Sequence, residues 1–117
     1  MKTLIALCCV VVGVGTQAAM ADTPAPRVEQ EQGHAVFQRW CEPCHGRAPY
    51  LPATAALTVK YKGKLAGALE DRKDLTAATV KTFVRQGVLS MPPFRKTEIS
   101  DAELEALAAY LAGKRAR

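Results

Sequence analysis

"CEPCH", residues 41–45, decides how the rest of this chain is read. Two cysteines stand three apart, and a histidine follows the second directly. Three chemistries use such a cluster: a redox disulfide, part of a zinc site, and a tether for haem. The choice between them depends on what the remaining residues supply.

The chain has 117 residues and a formal net charge of +5, a length that suits one small domain. Its beginning reads as a secretory signal peptide. Lys2 gives a short positive end, "LIALCCVVVGVG" (4–15) is an apolar run too short to span a bilayer comfortably, and Ala19 and Ala21 hold the small-residue positions of a cleavage site. Cleavage is predicted after Ala21, with export to the periplasm. The rival readings are an uncleaved membrane anchor and a lipoprotein cysteine at Cys8. Leu7 speaks against the second, because that signal wants a small side chain there. The expected organisation is therefore a signal at 1–21, a flexible leader at 22–30 and a single domain at 31–117.

The mature chain, Asp22 to Arg117, has about 96 residues. Losing Lys2 leaves 15 of the 16 basic residues against all 11 acidic ones, for a net charge of +4. Cys8 and Cys9 leave with the signal, so Cys41 and Cys44 are the only cysteines left, in an oxidising compartment. A chain this short buries a modest fraction of its surface. Trp40, three Tyr and three Phe are few large side chains for its core. A large apolar cofactor would act as core itself.

The patterns are helical. "EQEQGHAVFQRW" (29–40) places Val36, Phe37 and Trp40 at helical spacings, with Gly33 on the face of Phe37. Gly33 marks either a close helix crossing or a weak helix start. "GRAPYLP" (46–52) reads as a loop. "TAALTVKYKG" (54–63) reads as a short helix capped by Thr54 and stopped by Gly63, and "KLAGALEDRK" (64–73) could add a turn or two. In "TAATVKTFVRQG" (76–87), Thr76 is a cap, Val80, Phe83 and Val84 form a stripe, and Gly87 is a left-handed stop. Pro92 and Pro93 keep "VLSMPPF" (88–94) out of a helix. In "SDAELEALAAYLAG" (100–113), Ser100 and Glu103 form a capping box, Leu104, Leu107, Ala108 and Leu111 form the stripe, and Tyr110 flanks it. No segment alternates as a strand would, and there is no repeat or phosphate loop. The expected fold class is all-α, with about four helices.

That background narrows the chemistry of residues 41–45. A thioredoxin-like disulfide needs a βαβ setting, and no strand is visible. Zinc needs about four ligands, and beyond Cys41, Cys44 and His45 only His34 remains. Covalent haem needs what is present. Residues three apart lie on one side of a helical turn, so two thiols can add to two vinyl groups on one porphyrin edge while His45 reaches iron. Met91 is the only methionine after Ala21 and lies in a proline-stiffened loop that can cover the other haem face. A thioether there favours iron(II) and raises the potential. The alternative role for Met91 is a core gap-filler. His34 is the rival ligand, although a surface histidine is its more ordinary fate. With both axial positions filled by protein, the iron has no open place for substrate, which argues for electron transfer.

"CEPCH", "FVRQGVLSMPPF" (83–94) and "ISDAELEALAAYL" (99–111) together resemble the class I c-type cytochromes. More narrowly, they resemble the cytochrome subunits of p-cresol methylhydroxylase and eugenol hydroxylase flavocytochromes. The likeness covers about residues 33–112. It implies a small class I fold around one covalent haem c, thioethers on Cys41 and Cys44, and His45 and Met91 as axial ligands. It also implies a crossing of first and last helices at Gly33, Phe37 and Tyr110, and a proline carbonyl, of Pro49 or Pro52, that orients His45. The implied partner is a periplasmic FAD-containing 4-alkylphenol dehydrogenase, with an azurin-like protein or another cytochrome as acceptor. The stretch between His45 and Thr76 is longer than in the smallest members. Its Lys60, Lys62, Lys64, Arg72 and Lys73 form either a solvated face or a steering patch for an acidic partner.

The expected function is thus a periplasmic, non-catalytic, monohaem electron carrier that serves such a flavoenzyme. No nucleic-acid partner and no stable membrane insertion after cleavage are expected. The alternatives are a freely diffusing cytochrome for a terminal oxidase or another dehydrogenase, and a haem enzyme or gas sensor with a labile sixth ligand.

Overall fold

The structure, a computed structural model, describes residues 25–113. The signal peptide read at 1–21 lies outside the described residues. Five α-helices and one 3₁₀ turn follow one another: α1 (Ala25–Trp40), α2 (Glu42–His45), α3 (Pro52–Tyr61), the turn Leu69–Asp71, α4 (Ala77–Gln86) and α5 (Asp101–Ala112). Among the described residues the one β feature is an isolated bridge between Val88 and Met91. The all-α expectation is met, with α2 as one extra turn.

The core lies where α1 and α4 close on α5. Phe37, Ile99 and Leu107 are its largest fully enclosed side chains. Gly33 of α1 explains how α5 comes so near. A Cβ there would stand 2.6 Å from the Cβ of Tyr110 and would collide with the Ala106 carbonyl. Gly33 is therefore the close crossing and not a weak start. The Phe37 and Tyr110 rings meet beside it at 6.0 Å.

The capping residues of α4 and α5 behave as their sequence suggests. Thr76 accepts from the Thr79 amide at 3.1 Å. Ser100 and Glu103 exchange both bonds of a capping box, which satisfies amides that the first helical turn leaves unpaired. Gly87 ends α4 at φ 68°, and a Cβ on it would fall 2.6 Å from the Met91 carbonyl oxygen.

Two other boundaries differ from expectation. The first helix starts at Ala25, inside the 22–30 stretch and before Glu29. Its early turns gain ties that periodicity does not reveal: an Arg27–Glu31 pair at 3.3 Å, and Gln30 donating to the Ala109 carbonyl on α5 at 3.4 Å. Likewise α3 starts at Pro52, because proline suits a first turn whose amides have no partners and leaves Leu51 extended. Thr54 is then inside the helix and is not its cap. Its C-cap is Lys62 in left-handed geometry at φ 50°, one residue before Gly63. Within 64–73 the extra structure is the single 3₁₀ turn.

Candidate functional site

The end of α1 runs directly into the cysteine cluster. Cys41 donates its amide to the Phe37 carbonyl at 2.8 Å, and Cys44 and His45 both donate to the Cys41 carbonyl, at 3.1 and 2.8 Å. Pro43 fits because it falls in the first turn of α2. The chain here is thus one tight turn, and Cys41, Cys44 and His45 all border one cavity of about 900 Å³.

The turn is held from below. Thr54 is buried and donates its hydroxyl to the Gly46 carbonyl at 2.7 Å, joining α3 to the residue after His45. Next to it, Arg47 pairs with Glu70 at 2.8 Å and with Asp71 at 2.9 Å. Glu70 also accepts the hydroxyl of Tyr110 on α5. This network clamps the loop after His45 to the last helix. Burial, followed by the bond to Glu70, raises the Tyr110 pKa further and keeps the phenol protonated.

Met91 reaches the same cavity from another direction. Its turn is closed by reciprocal backbone bonds with Val88, at 3.0 and 2.9 Å, and its far end is pinned by the Phe94 amide on the Val84 carbonyl at 2.8 Å. Arg85 donates to the Phe94 carbonyl at 3.0 Å, and the Phe94 ring meets Trp40 edge-on at 5.8 Å. Leu89 sits at the tip with a left-handed φ of 53° and is fully exposed.

The sulfur and nitrogen groups differ in environment. Cys41 is buried and Cys44 exposed. Burial, aided by the charge of Cys44, pushes the Cys41 thiol up to about 12. Burial also lowers the His45 pKa, which favours the neutral imidazole that a metal requires. The Nδ1 of His45 is buried without a hydrogen-bond partner among the described residues. Neither Pro49 nor Pro52 therefore supplies the orienting carbonyl that the resemblance implied. Pro52 has been drawn into α3, whose carbonyls point along the helix toward amides four residues on.

His34 does not border the cavity. It is exposed, and its ring lies against Tyr110 with centroids 5.2 Å apart. The basic cluster is also divided. Lys62, Lys64 and Lys73 are exposed, whereas Arg72 is only 6% exposed and lines the cavity with Lys60. Arg72 belongs to the wall and not to a steering surface.

The rest of the lining is mainly aliphatic and aromatic, contributed by α3, α4 and α5. Two thiols on one turn, a neutral imidazole with a free nitrogen and a thioether in a pinned turn thus border one large apolar space. Soft sulfur donors and an imidazole around apolar walls suit a metalloporphyrin held by thioether links. Sequence reasoning had missed Thr54, Arg47, Glu70 and the burial of Arg72. Glu70 and Arg72 sit in a mixed-charge stretch that reads as solvated, Arg47 lies in a loop, and Thr54 reads as a helix cap.

A family model described as "Cytochrome C oxidase, cbb3-type, subunit III" matches residues 28–111. Comparison with curated proteins and with solved structures gave no match. Among the described residues, no helix is long and apolar enough to cross a membrane.

Proposed function

The chain belongs to the cytochrome c oxidase, cbb3-type, subunit III family, whose cytochrome c domain carries covalently attached haem c, and on that premise we propose that it is a periplasmic one-haem electron carrier. Cys41 and Cys44 form the thioether links, and His45 and Met91 are the axial ligands. The supporting observation is that these four side chains, three on one turn and Met91 on a distant segment, border a single cavity. Bound haem supplies a one-electron iron(II)/iron(III) couple. His45 stays neutral through burial and so keeps its nitrogen available. Met91 offers a thioether, which favours iron(II). Two side-chain ligands leave no position for substrate, so the chain transfers electrons and does not act as a haem enzyme or gas sensor.

The donor supported by the resemblance at 83–94 and 99–111 is an FAD-containing 4-alkylphenol dehydrogenase of the periplasm. Its flavin takes two electrons from substrate and passes them singly to this chain, which hands them to an azurin-like protein or a cytochrome. The family's own description supports a second reading, a carrier that feeds a terminal oxidase.

Optical spectroscopy tests the ligands. The oxidised protein is expected to show a sulfur–iron charge-transfer band that Met91→Ala removes. Rapid carbon monoxide binding by the reduced wild type would contradict a six-coordinate carrier. Co-expression with the neighbouring genes separates the partners. Recovery of a stable flavoprotein complex supports the first, and electron delivery to oxidase-containing membranes without one supports the second.

A further inference from the structure

The segment from Met91 to Phe94 is poor in donors of its own. Pro92 and Pro93 have no amide hydrogen, so only its two end residues can donate. The Met91 amide goes to the Val88 carbonyl and the Phe94 amide to the Val84 carbonyl of α4. Further backbone ties must therefore use the segment's carbonyls. Arg85, the neighbour of Val84, supplies one. It donates Nη1 to the Phe94 carbonyl at 3.0 Å and Nη2 to Asp101 at 2.9 Å. Asp101, in the first turn of α5, also accepts from Lys96 at 2.6 Å. Phe94 is thus held at both main-chain groups by adjacent residues of α4, and Arg85 carries the hold across to α5. Arg85 is partly shielded at 24% exposure, whereas Asp101 is 63% exposed. A second cation gives the contrast. Lys81 of α4 pairs with Glu105 of α5 at 2.5 Å, a bridge between the same helices that does not include Phe94.

These ties divide into two kinds. The reciprocal Val88–Met91 bonds lie inside the turn and shape it. The two bonds to Phe94 fix that turn to the helical frame. We propose that Arg85 is a positioning residue for Met91: by latching the Phe94 carbonyl to α4 and α5, it keeps the thioether on the iron and excludes added ligands from the sixth position. A guanidinium suits the task because its rigid fork can serve a carbonyl and a carboxylate at once. Removing it leaves the far end of the segment on a single amide. Met91 is then displaced in a larger fraction of molecules. This inference rests on Met91 being the second axial ligand and not on which partner supplies electrons.

The test is imidazole titration of the oxidised, haem-loaded protein, with the sulfur–iron band and chemical denaturation followed for each variant. Imidazole takes the sixth position only when Met91 has left it, so its apparent affinity reports the displaced fraction. Arg85→Met is expected to raise that affinity about tenfold, the weight of one hydrogen bond from a charged donor. Arg85→Lys keeps the charge without the fork and should fall between wild type and Arg85→Met. Asp101→Asn should give a smaller rise, because an exposed charge pair contributes little. Lys81→Met should lower stability slightly and leave imidazole affinity unchanged. A wild type without the sulfur–iron band would remove Met91 as a ligand, and the latch with it. With the band present, an Arg85→Met affinity within about twofold of wild type, or a rise matched by Lys81→Met, would overturn the latch alone. Should Arg85→Met not fold, unchanged affinity in Arg85→Lys would overturn it equally.

Discussion

Helices α1 and α4 close on α5, whereas α3 and the chain up to Leu75 close on a cavity. In the first region, Phe37, Ile99 and Leu107 are fully enclosed by protein, and Gly33 lets two backbones nearly touch. In the second, α3 buries only Thr54, and its substantial helical neighbour is the single turn α2. Polar ties hold this wall: Thr54 to Gly46, Thr58 back to Thr54 at 2.8 Å, and Arg72 to Asp74. One region is stabilised by apolar burial of its own side chains. The other lines a space that becomes core only when a large apolar group fills it. A chain of this size can thus supply a rigid frame and leave its cofactor to complete the rest.

The largest effect on this contrast should come from removing the tether. In Cys41→Ser/Cys44→Ser, amide hydrogen exchange should accelerate by orders of magnitude across 52–75 while α1 and α5 stay the better protected. Equal loss in both regions would mean that the frame does not stand alone. Next comes Phe37→Ala, which should cost about 3–5 kcal/mol in chemical denaturation, as a large enclosed side chain does. A cost below about 1.5 kcal/mol would place the core elsewhere.

Gly33→Val follows at about 1–3 kcal/mol, the range for overpacking, because its branched side chain meets the Ala106 backbone and cannot be accommodated by a rotamer change. A neutral result would show that α1 and α5 can separate freely. The smallest effect belongs to the wall's own pair. Hydrogen bonds from Arg72 hold the Asp74 carboxyl below the usual carboxylate range. The pair's contribution is therefore complete above the unfolded value near ~3.9 and is lost as pH falls through the lowered folded value. Asp74 is half exposed, so the contribution is below about 1 kcal/mol. Asp74→Asn should lower neutral stability by less than about 1 kcal/mol and flatten the acid limb of the stability–pH curve slightly. Unaltered acid sensitivity would sink the assignment.

Local rules explain why some elements were readable. The caps of α4 and α5 are satisfied by residues three positions away, so Thr76, Ser100 and Glu103 carry their meaning in the sequence. The start of α1 was less readable because Gln30 finds its partner on α5. Thr54 read as a cap, since hydroxyl residues often are, but its acceptor is the Gly46 carbonyl that the loop brings back to it. Within "EDRKD" (70–74) the two most consequential side chains, Glu70 and Arg72, are the two that burial singles out. Alternating charge gave no sign of that.

By itself the sequence determined the chemistry on offer: two thiols and an imidazole on one turn, one methionine in a proline-stiffened loop, and helices with signed ends. These follow from residue type and short spacing, which the backbone preserves wherever the segment lies. Only the tertiary structure decided which groups share a cavity, that His34 lies outside it, that neither Pro49 nor Pro52 meets His45 Nδ1, and that Arg72 lines the wall while Lys62 and Lys64 face water. Burial and polar partnership are set by segments far apart in the chain, and spacing does not encode them.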